Sequence, residues 1–261
     1  MKKFILDLTV KSVEHIHERY VLLKLTQKEP LPEMKPGQFV EIRIDGSSTT
    51  FLRRPISIDF VDKENHEMWL LVACVGDGTK WLGQLKTGEK LNCVLPLGNG
   101  WTMPDARLTE KGGVLLVGGG VGVAPLLYQG AVLREKGIDP TFLLGARKAS
   151  DLLMLNEFRK YGRVLVTTED GSQGEQGFVT NHSVLLHERF GLIQSCGPTP
   201  MMKSVARYAR KHNIECEVSL ENLMACGLGA CLCCVEKTVD GNLCVCKEGP
   251  VFNIKRLLWQ D

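Results

Sequence analysis

The stretch GGVLLVGGGVGVAPLLYQGAVL, residues 112–133, carries no charged side chain, and its reading decides the fold. It is long enough to span a bilayer. Glycines at 118, 119, 120, 122 and 130, with Pro125 and Gln129 in the second half, argue against a continuous apolar helix. An apolar strand (VLLVG), a glycine turn and the start of a helix (VAPLLYQGAVLREKG) account for it better. The same rhythm continues downstream. TFLLGA reads as a strand, 152–160 as a helix, RVLVTTED as a strand and 180–188 as a helix, before GLIQSCG and the helix TPMMKSVARYARKH. Apolar strands alternating with helices predict a parallel sheet covered on both faces, an α/β nucleotide-binding domain over 104–214.

Upstream, the period changes to two. Phe4, Leu6, Leu8 and Val10 alternate with polar residues, and Val40, Ile42 and Ile44 alternate with Glu41 and Arg43. Such alternation puts apolar side chains on one face of a strand. YVLLKLT, FLRRPISI and MWLLVACV follow the same logic, separated by the turn signals KPGQ, DGSS, GDG and KTGEK. These features predict an N-terminal antiparallel β-barrel or sandwich over 1–103, with PLGNG at 96–100 as its exit. The class is therefore β plus α/β, and residues 215–261 form a small cysteine-rich region. No repeat or low-complexity tract interrupts this organisation.

The 261 residues are 44% hydrophobic and 24% charged, which excludes wholesale disorder. A net charge of +2 gives no electrostatic case for nucleic acid or an anionic membrane as partner. Asp7, Thr9 and Lys11 interrupt the N-terminal apolar run before a signal-peptide core forms, so the chain is expected to stay in the cytosol.

Cys74, Cys93, Cys196 and Cys216 are scattered, whereas Cys226, Cys231, Cys233, Cys234, Cys244 and Cys246 crowd together. Cys226, Cys231 and Cys234 form C-x4-C-x2-C, the plant-type [2Fe–2S] spacing, and Cys246 follows. Gly227 and Gly229 sit inside the x4 segment, where a loop wrapped round a cluster needs φ > 0 and N–H groups aimed at sulfur. A structural zinc on Cys231, Cys234, Cys244 and Cys246 satisfies the same thiol inventory. Cys233 is read as facing away from Cys234, and Cys244 competes with Cys246 for the fourth ligand position.

The glycine turn GGGVGVAP at 118–125 follows a strand and opens a helix, so its backbone can approach a pyrophosphate closely. It departs from G-x-G-x-x-G, and close strand–helix packing is the competing explanation. CGPTPMM, from Cys196, again lies just past a strand, at the carboxyl edge where ligands of such sheets bind. In FLRRPISI, Arg54 suits a phosphate and Ser57 a ring nitrogen. On residue chemistry alone, a solvated strand start with Pro55 at an edge is the favoured reading.

In order, RRPIS, VGDGT, PLGNG, GGGVGVAP, CGPTPM and the cysteine motif closed by GPVF resemble the electron-transfer subunits of bacterial dihydroorotate dehydrogenase B. These belong to the ferredoxin–NADP reductase superfamily, and the resemblance covers essentially the whole chain. It implies an FAD-binding barrel, an NAD-binding α/β domain and a C-terminal [2Fe–2S] loop. Family FAD contacts fall on Arg54, Pro55, Ile56 and Ser57, on Leu71, Val72 and Ala73, and on Gly78 and Thr79. Ala73 departs from the arginine that relatives often carry. NAD(H) falls on Gly118, Gly119, Gly120, Val121 and Gly122, with Cys196, Gly197 and Pro198. The cluster ligands fall on Cys226, Cys231, Cys234 and Cys246.

The resemblance further implies a relay without an acid–base catalyst of its own. NADH delivers two electrons at once and a [2Fe–2S] cluster accepts one, so FAD stands between them. The implied acceptor is an FMN-containing dihydroorotate dehydrogenase catalytic subunit of pyrimidine synthesis, in a heterotetramer of two of each chain. The small subunit of a ferredoxin–NADP oxidoreductase or a sulfhydrogenase is the sibling alternative, and a zinc-binding interaction module is the alternative from another class. Arg147 either meets a 2′-phosphate or lies on a solvated loop, and the tail RLLWQD either docks a partner or caps the barrel.

Overall fold

The computed structural model describes residues 2–45 and 47–259. The first seven strands are β1 (Phe4–His17), β2 (Tyr20–Thr26), β3 (Phe39–Ile42), β4 (Arg54–Ser57), β5 (Phe60–Asp62), β6 (Glu67–Ala73) and β7 (Lys90–Leu97). They form one antiparallel sheet in the order β4-β3-β7-β1-β2-β6-β5. Between β4 and β5 the chain bridges the two sheet edges. Ile58 N–H donates to the Gln38 carbonyl at 3.0 Å, and Asp59 N–H donates to the Trp69 carbonyl at 2.9 Å. The two edges are thereby drawn together and the sheet curls into the expected barrel. Leu8, Val10, Val40, Ile42, Leu91, Cys93 and Leu95 fill its core, following the period-two pattern. The segment read as a GDG turn is instead a short helix, α1 (Asp77–Leu82).

Helix α2 (Ala106–Lys111) leads into β8 (Gly113–Gly119), a 3₁₀ turn at Gly120–Val123 and α3 (Ala124–Glu135). The 112–133 stretch is thus strand, turn and helix, and no helix among the described residues is long and apolar enough to cross a membrane. Next come β9 (Pro140–Ala146), α4 (Leu155–Arg159), β10 (Arg163–Thr168), β11 (Glu175–Gln176), α5 (Val184–His187), β12 (Phe190–Cys196), α6 (Thr199–Lys211) and β13 (Glu215–Ser219). These strands are parallel, in the order β11-β10-β9-β8-β12-β13. The order runs from β8 one way to β9 and the other way to β12, creating a switch point at their carboxyl ends.

Nearly every residue of α3 up to Ala131 is buried, because the helix lies between sheet and barrel. Gly130 is a glycine because a Cβ there would stand 2.2 Å from Phe142 Cζ. On the other side, Tyr128 enters the barrel core, its hydroxyl donating to Met34 O at 3.2 Å and its N–H to Asp59 O at 3.1 Å. Gln129 donates to Gln194 at 2.7 Å, and Gln194 donates to Glu217 at 2.9 Å and to Thr102 O at 2.8 Å.

The remaining chain forms the hairpin β14 (Val235–Thr238) and β15 (Gly241–Cys244), α7 (Val245–Glu248) and β16 (Val251–Asn253). β16 joins the parallel sheet antiparallel to β13. Both β13 and β16 lie beyond the boundary expected at residue 214, so the cysteine-rich region shares its sheet with the α/β domain. The tail packs on α6 rather than capping the barrel: Arg210 donates to Trp259 O at 3.1 Å and Lys203 lies over the Trp259 ring. Gln260 and Asp261 of RLLWQD lie outside the described residues.

Asn99 of PLGNG ties the barrel exit to this region. Its Nδ2 donates to Glu248 O at 3.0 Å and Val251 O at 2.9 Å, and its Oδ1 accepts from Val251 N at 3.0 Å. Replacing Asn99 with Ala leaves these backbone groups unpaired at a partly buried site. Urea denaturation should show a loss of about 2 kcal/mol.

Candidate functional site: a seam cavity and a thiol loop

A cavity of about 690 Å³ opens where barrel, α/β domain and cysteine-rich region meet. The barrel contributes Arg54, Pro55, Ile56 and Ser57 of β4, Leu71 and Ala73 of β6, and Gly78 and Thr79 of α1. The glycine turn contributes Val121, and α3 its first residue, Ala124. The third wall is the connection from Ser219 to Met224, which leads into the cysteine loop. Its size falls within the range of small-molecule and cofactor sites.

Strand geometry sorts the expected contacts. Leu71 and Ala73 border the cavity, whereas Val72 is buried in the barrel core, as alternation on β6 requires. Arg53 and Arg54 also divide. Arg53 is a structural clamp, its guanidinium donating to Asn92 O at 2.9 Å and to Glu41 O at 3.3 Å. Arg54 faces the cavity and passes over Gly78, where a Cβ would stand 3.1 Å from its Nε. Pro55 sits on an edge strand, where its missing N–H costs no ladder bond. Thr79 uses its hydroxyl locally, accepting from Val75 N and Gly76 N, both at 3.1 Å, and donating to Gly76 O at 3.0 Å. A cationic guanidinium, a serine hydroxyl, a bare glycine and apolar walls together suit a flavin nucleotide.

The register of β8 and β12 sets Gly118 opposite Cys196, which brings two motifs far apart in sequence to one edge. A Cβ on Gly122 would lie 2.4 Å from Gly197 Cα, so the two turns touch backbone to backbone. Gly118 and Gly119 are glycines for packing, since added Cβ atoms would meet Val123 Cγ1 at 2.9 Å and Met201 Sδ at 2.7 Å. Gly120, at φ +57°, faces open space. Pro198 follows Gly197 and precedes α6. The Cys196 thiol is fully buried, 4.0 Å from Glu221 Oε1, and burial pushes its pKa well up. Such a buried, neutral thiol is no nucleophile. Arg147 is exposed at the end of β9.

The cysteine loop is built as anticipated, with Gly227 at φ +64° and Gly229 at φ +81°. Leu228, Ala230 and Cys231 N–H groups aim at Cys226 Sγ at 3.3, 3.4 and 3.5 Å. The Leu228 bond leads the effects that lower the Cys226 pKa to about 6. Gly229 N–H donates to Cys246 Sγ at 3.1 Å, and Cys246 N–H donates to Cys234 Sγ at 3.4 Å. Backbone bonds thus tie Cys226 to the 228–231 segment and Cys234 to Cys246. Among the described residues no three ligating side chains stand converged around one point. Cys244 turns to the Gly229 carbonyl at 4.0 Å, and Cys233 is exposed.

Comparison with known proteins follows this division. Residues 116–207 match the oxidoreductase NAD-binding domain, and residues 221–258 match the iron–sulfur cluster binding domain of dihydroorotate dehydrogenase B. A protein of Shouchella clausii is 38% identical over 94% of each chain. One of Bacillus velezensis is 37% identical over 96% of this chain and 97% of the relative. Both are named dihydroorotate dehydrogenase B (NAD(+)), electron transfer subunit. The chain belongs to this family of electron transfer subunits. It is thus an NAD-linked oxidoreductase subunit with an iron–sulfur cluster binding domain.

Among solved structures, the NADH-dependent reduced ferredoxin-NADP oxidoreductase contains a chain 31% identical, with a TM-score of 0.86. The alignment covers 97% of this chain and 90% of that one. The ferredoxin reductase in carbazole 1,9a-dioxygenase, 19% identical with a TM-score of 0.68, covers 82% of this chain and 67% of that one, and shares the fold.

One buried acid beneath the thiol loop was not foreseen from the sequence. Glu41, which alternates with Val40 and Ile42 on β3, is only 1% exposed. Its alternation with Val40 and Ile42 fixes which face it occupies, but nothing in the pattern reveals that the cysteine loop covers that face.

The backbone contact at Gly122 yields a direct test. Gly122→Val would drive its side chain into Gly197, with no flexible neighbour to yield. The KM for NADH should rise at least about tenfold, while flavin content stays that of the parent protein. Stopped-flow reduction by NADH reads the first and absorbance at rest the second.

Proposed function

We propose that this chain relays electrons between NAD(H) and an FMN-containing dihydroorotate dehydrogenase catalytic subunit, in de novo pyrimidine (UMP) biosynthesis in the cytosol. The seam cavity would hold FAD, and Cys226, Cys231, Cys234 and Cys246 would hold a [2Fe–2S] cluster. The observation that carries this reading is the cavity itself, walled at once by β4, by the glycine turn and by the 219–224 connection to the thiol loop. When bound, FAD takes up the two electrons of a hydride and gives them up singly, as a one-electron cluster requires.

The chain's own residues position and exclude. Arg54 offsets phosphate charge, and Ser57 offers a hydroxyl to a ring nitrogen. Gly122 and Gly197 keep the backbone low at the switch point, and buried Cys196 closes that end. Phe39, Leu71 and Leu220 give the cavity apolar walls that exclude water. Backbone N–H groups directed at Cys226 favour its thiolate form.

The names of the curated relatives support a separate catalytic partner, and the stoichiometry we propose is two of each chain. Leu223, Leu228 and Leu232 stand 86%, 47% and 63% exposed around the thiol loop, an apolar face suited to such a partner. The sibling reading, a small subunit of a ferredoxin–NADP oxidoreductase, has the 31% identical solved chain in its favour. Co-purification decides between them, since an FMN-bearing α/β-barrel chain fits the first and a larger iron–sulfur flavoprotein the second.

Anaerobic titration with NADH should bleach the flavin spectrum and bring up a paramagnetic signal from a reduced two-iron centre. A colourless protein holding zinc would overturn the proposal. Ligand choice is tested separately: Cys246→Ser should lose the cluster, while Cys244→Ser retains about two irons per chain by metal analysis.

A further inference from the structure

Glu41 occupies an unusual position for an acid. Its neighbours Val40 and Ile42 fill the barrel core, so its own side chain takes the outer face of β3. That face is covered by the loop between Cys226 and Cys231. A Cβ on Gly227 would stand 2.8 Å from Glu41 Cγ, 3.2 Å from Oε1 and 3.0 Å from Leu97 Cδ1. Gly227 is therefore bare where the loop rests on the carboxyl group. Neither Glu41 oxygen finds a hydrogen-bond partner among the described residues. Burying such a group is costly, and an apolar side chain would fill the space without that cost.

The groups facing it are few. Arg53 and Arg54, from β4 and its approach, favour the ionised form, and Cys226 of the loop opposes it. Burial, reinforced by Cys226, outweighs the two arginines and raises the Glu41 pKa to about 7. The register places Glu41 opposite Pro55, which borders the seam cavity. Glu41 thus stands on the barrel wall between the cavity strand and the thiol loop.

We propose that Glu41 is a positioning residue for the cluster-binding loop, supporting it through Gly227 and setting, by its carboxylate charge, how readily the bound cluster accepts an electron. The inference rests on the relay reading above and deepens it. No bond is made or broken at Glu41. One electron enters the cluster, and a neighbouring negative charge opposes its arrival.

The test uses the full chain with its flavin and iron, titrated anaerobically at about pH 8.5, where a carboxyl of raised pKa is ionised. The cluster is followed by paramagnetic resonance and the flavin by absorbance in the same sample. Glu41→Gln keeps the shape and removes the charge. Its cluster potential should move in the positive direction, so that the reduced-to-oxidised ratio at a fixed potential rises severalfold, while the flavin potential moves less. An unshifted cluster potential in Glu41→Gln overturns the inference. Should Glu41→Gln lose iron, Glu41→Asp decides: retained iron with a near-parental potential supports the role, and equal loss in both variants overturns it. Absence of any cluster signal in the parent protein would instead sink the relay reading, so the two failures are distinguishable.

Discussion

Helix α3 is clamped from both sides, and the position of the site follows from that clamp. Gly130 lets the helix lie against Phe142 of the sheet, while Tyr128 reaches into the barrel core and to Met34. The helix begins directly after the glycine turn. Seating it therefore fixes where the turn stands relative to β4, and hence the width of the cavity between them. Phe60 reinforces the clamp through Tyr128 and Tyr161, at ring separations of 5.8 and 5.7 Å. A barrel and a sheet joined only by a linker would have no reason to keep a flavin and a nicotinamide in register.

The barrel and the parallel sheet were legible because each follows one hydrophobic period over many residues. What escaped was short or non-periodic. The ECEVS segment that becomes β13 has only five residues, and β16 only three, so their strand character comes from pairing with β12 and with each other. The turn-like GDGT became α1 because Thr79 caps its start with hydroxyl bonds that a composition reading does not see. Gln129 counted against a membrane span, but its partner Gln194 lies on a strand far along the chain.

The site shows the same division between spacing and placement. Motif spacing picked out the glycine turn and the cysteine run, with Arg54 and Ser57 added by the family resemblance. It could not separate Arg53 from Arg54, since both flank one strand start and only tertiary partners divide the clamp from the cavity-facing cation. Nor could it choose between Cys244 and Cys246, two residues apart at the junction of β15 and α7. Cys244 ends the strand and meets a carbonyl, whereas Cys246 lies inside the following turn of helix and meets Cys234. The change from extended to helical backbone separates two thiols that neighbour each other in sequence.

Attachment of the cysteine-rich region bears on function because electron transfer needs a fixed separation between donor and acceptor. A tethered lobe would hold none. Here the region is bound at three places: β16 continues the sheet, Asn99 grips the chain around Val251, and the thiol loop rests on Leu97 and Glu41 of the barrel. The cavity wall from Ser219 to Met224 runs directly from β13 into that loop. The strand that helps enclose the cavity thus also aims the thiols. Moving one without the other would mean breaking the sheet, so the geometry between the flavin-sized cavity and the thiol loop is set by backbone pairing rather than by side-chain contact alone.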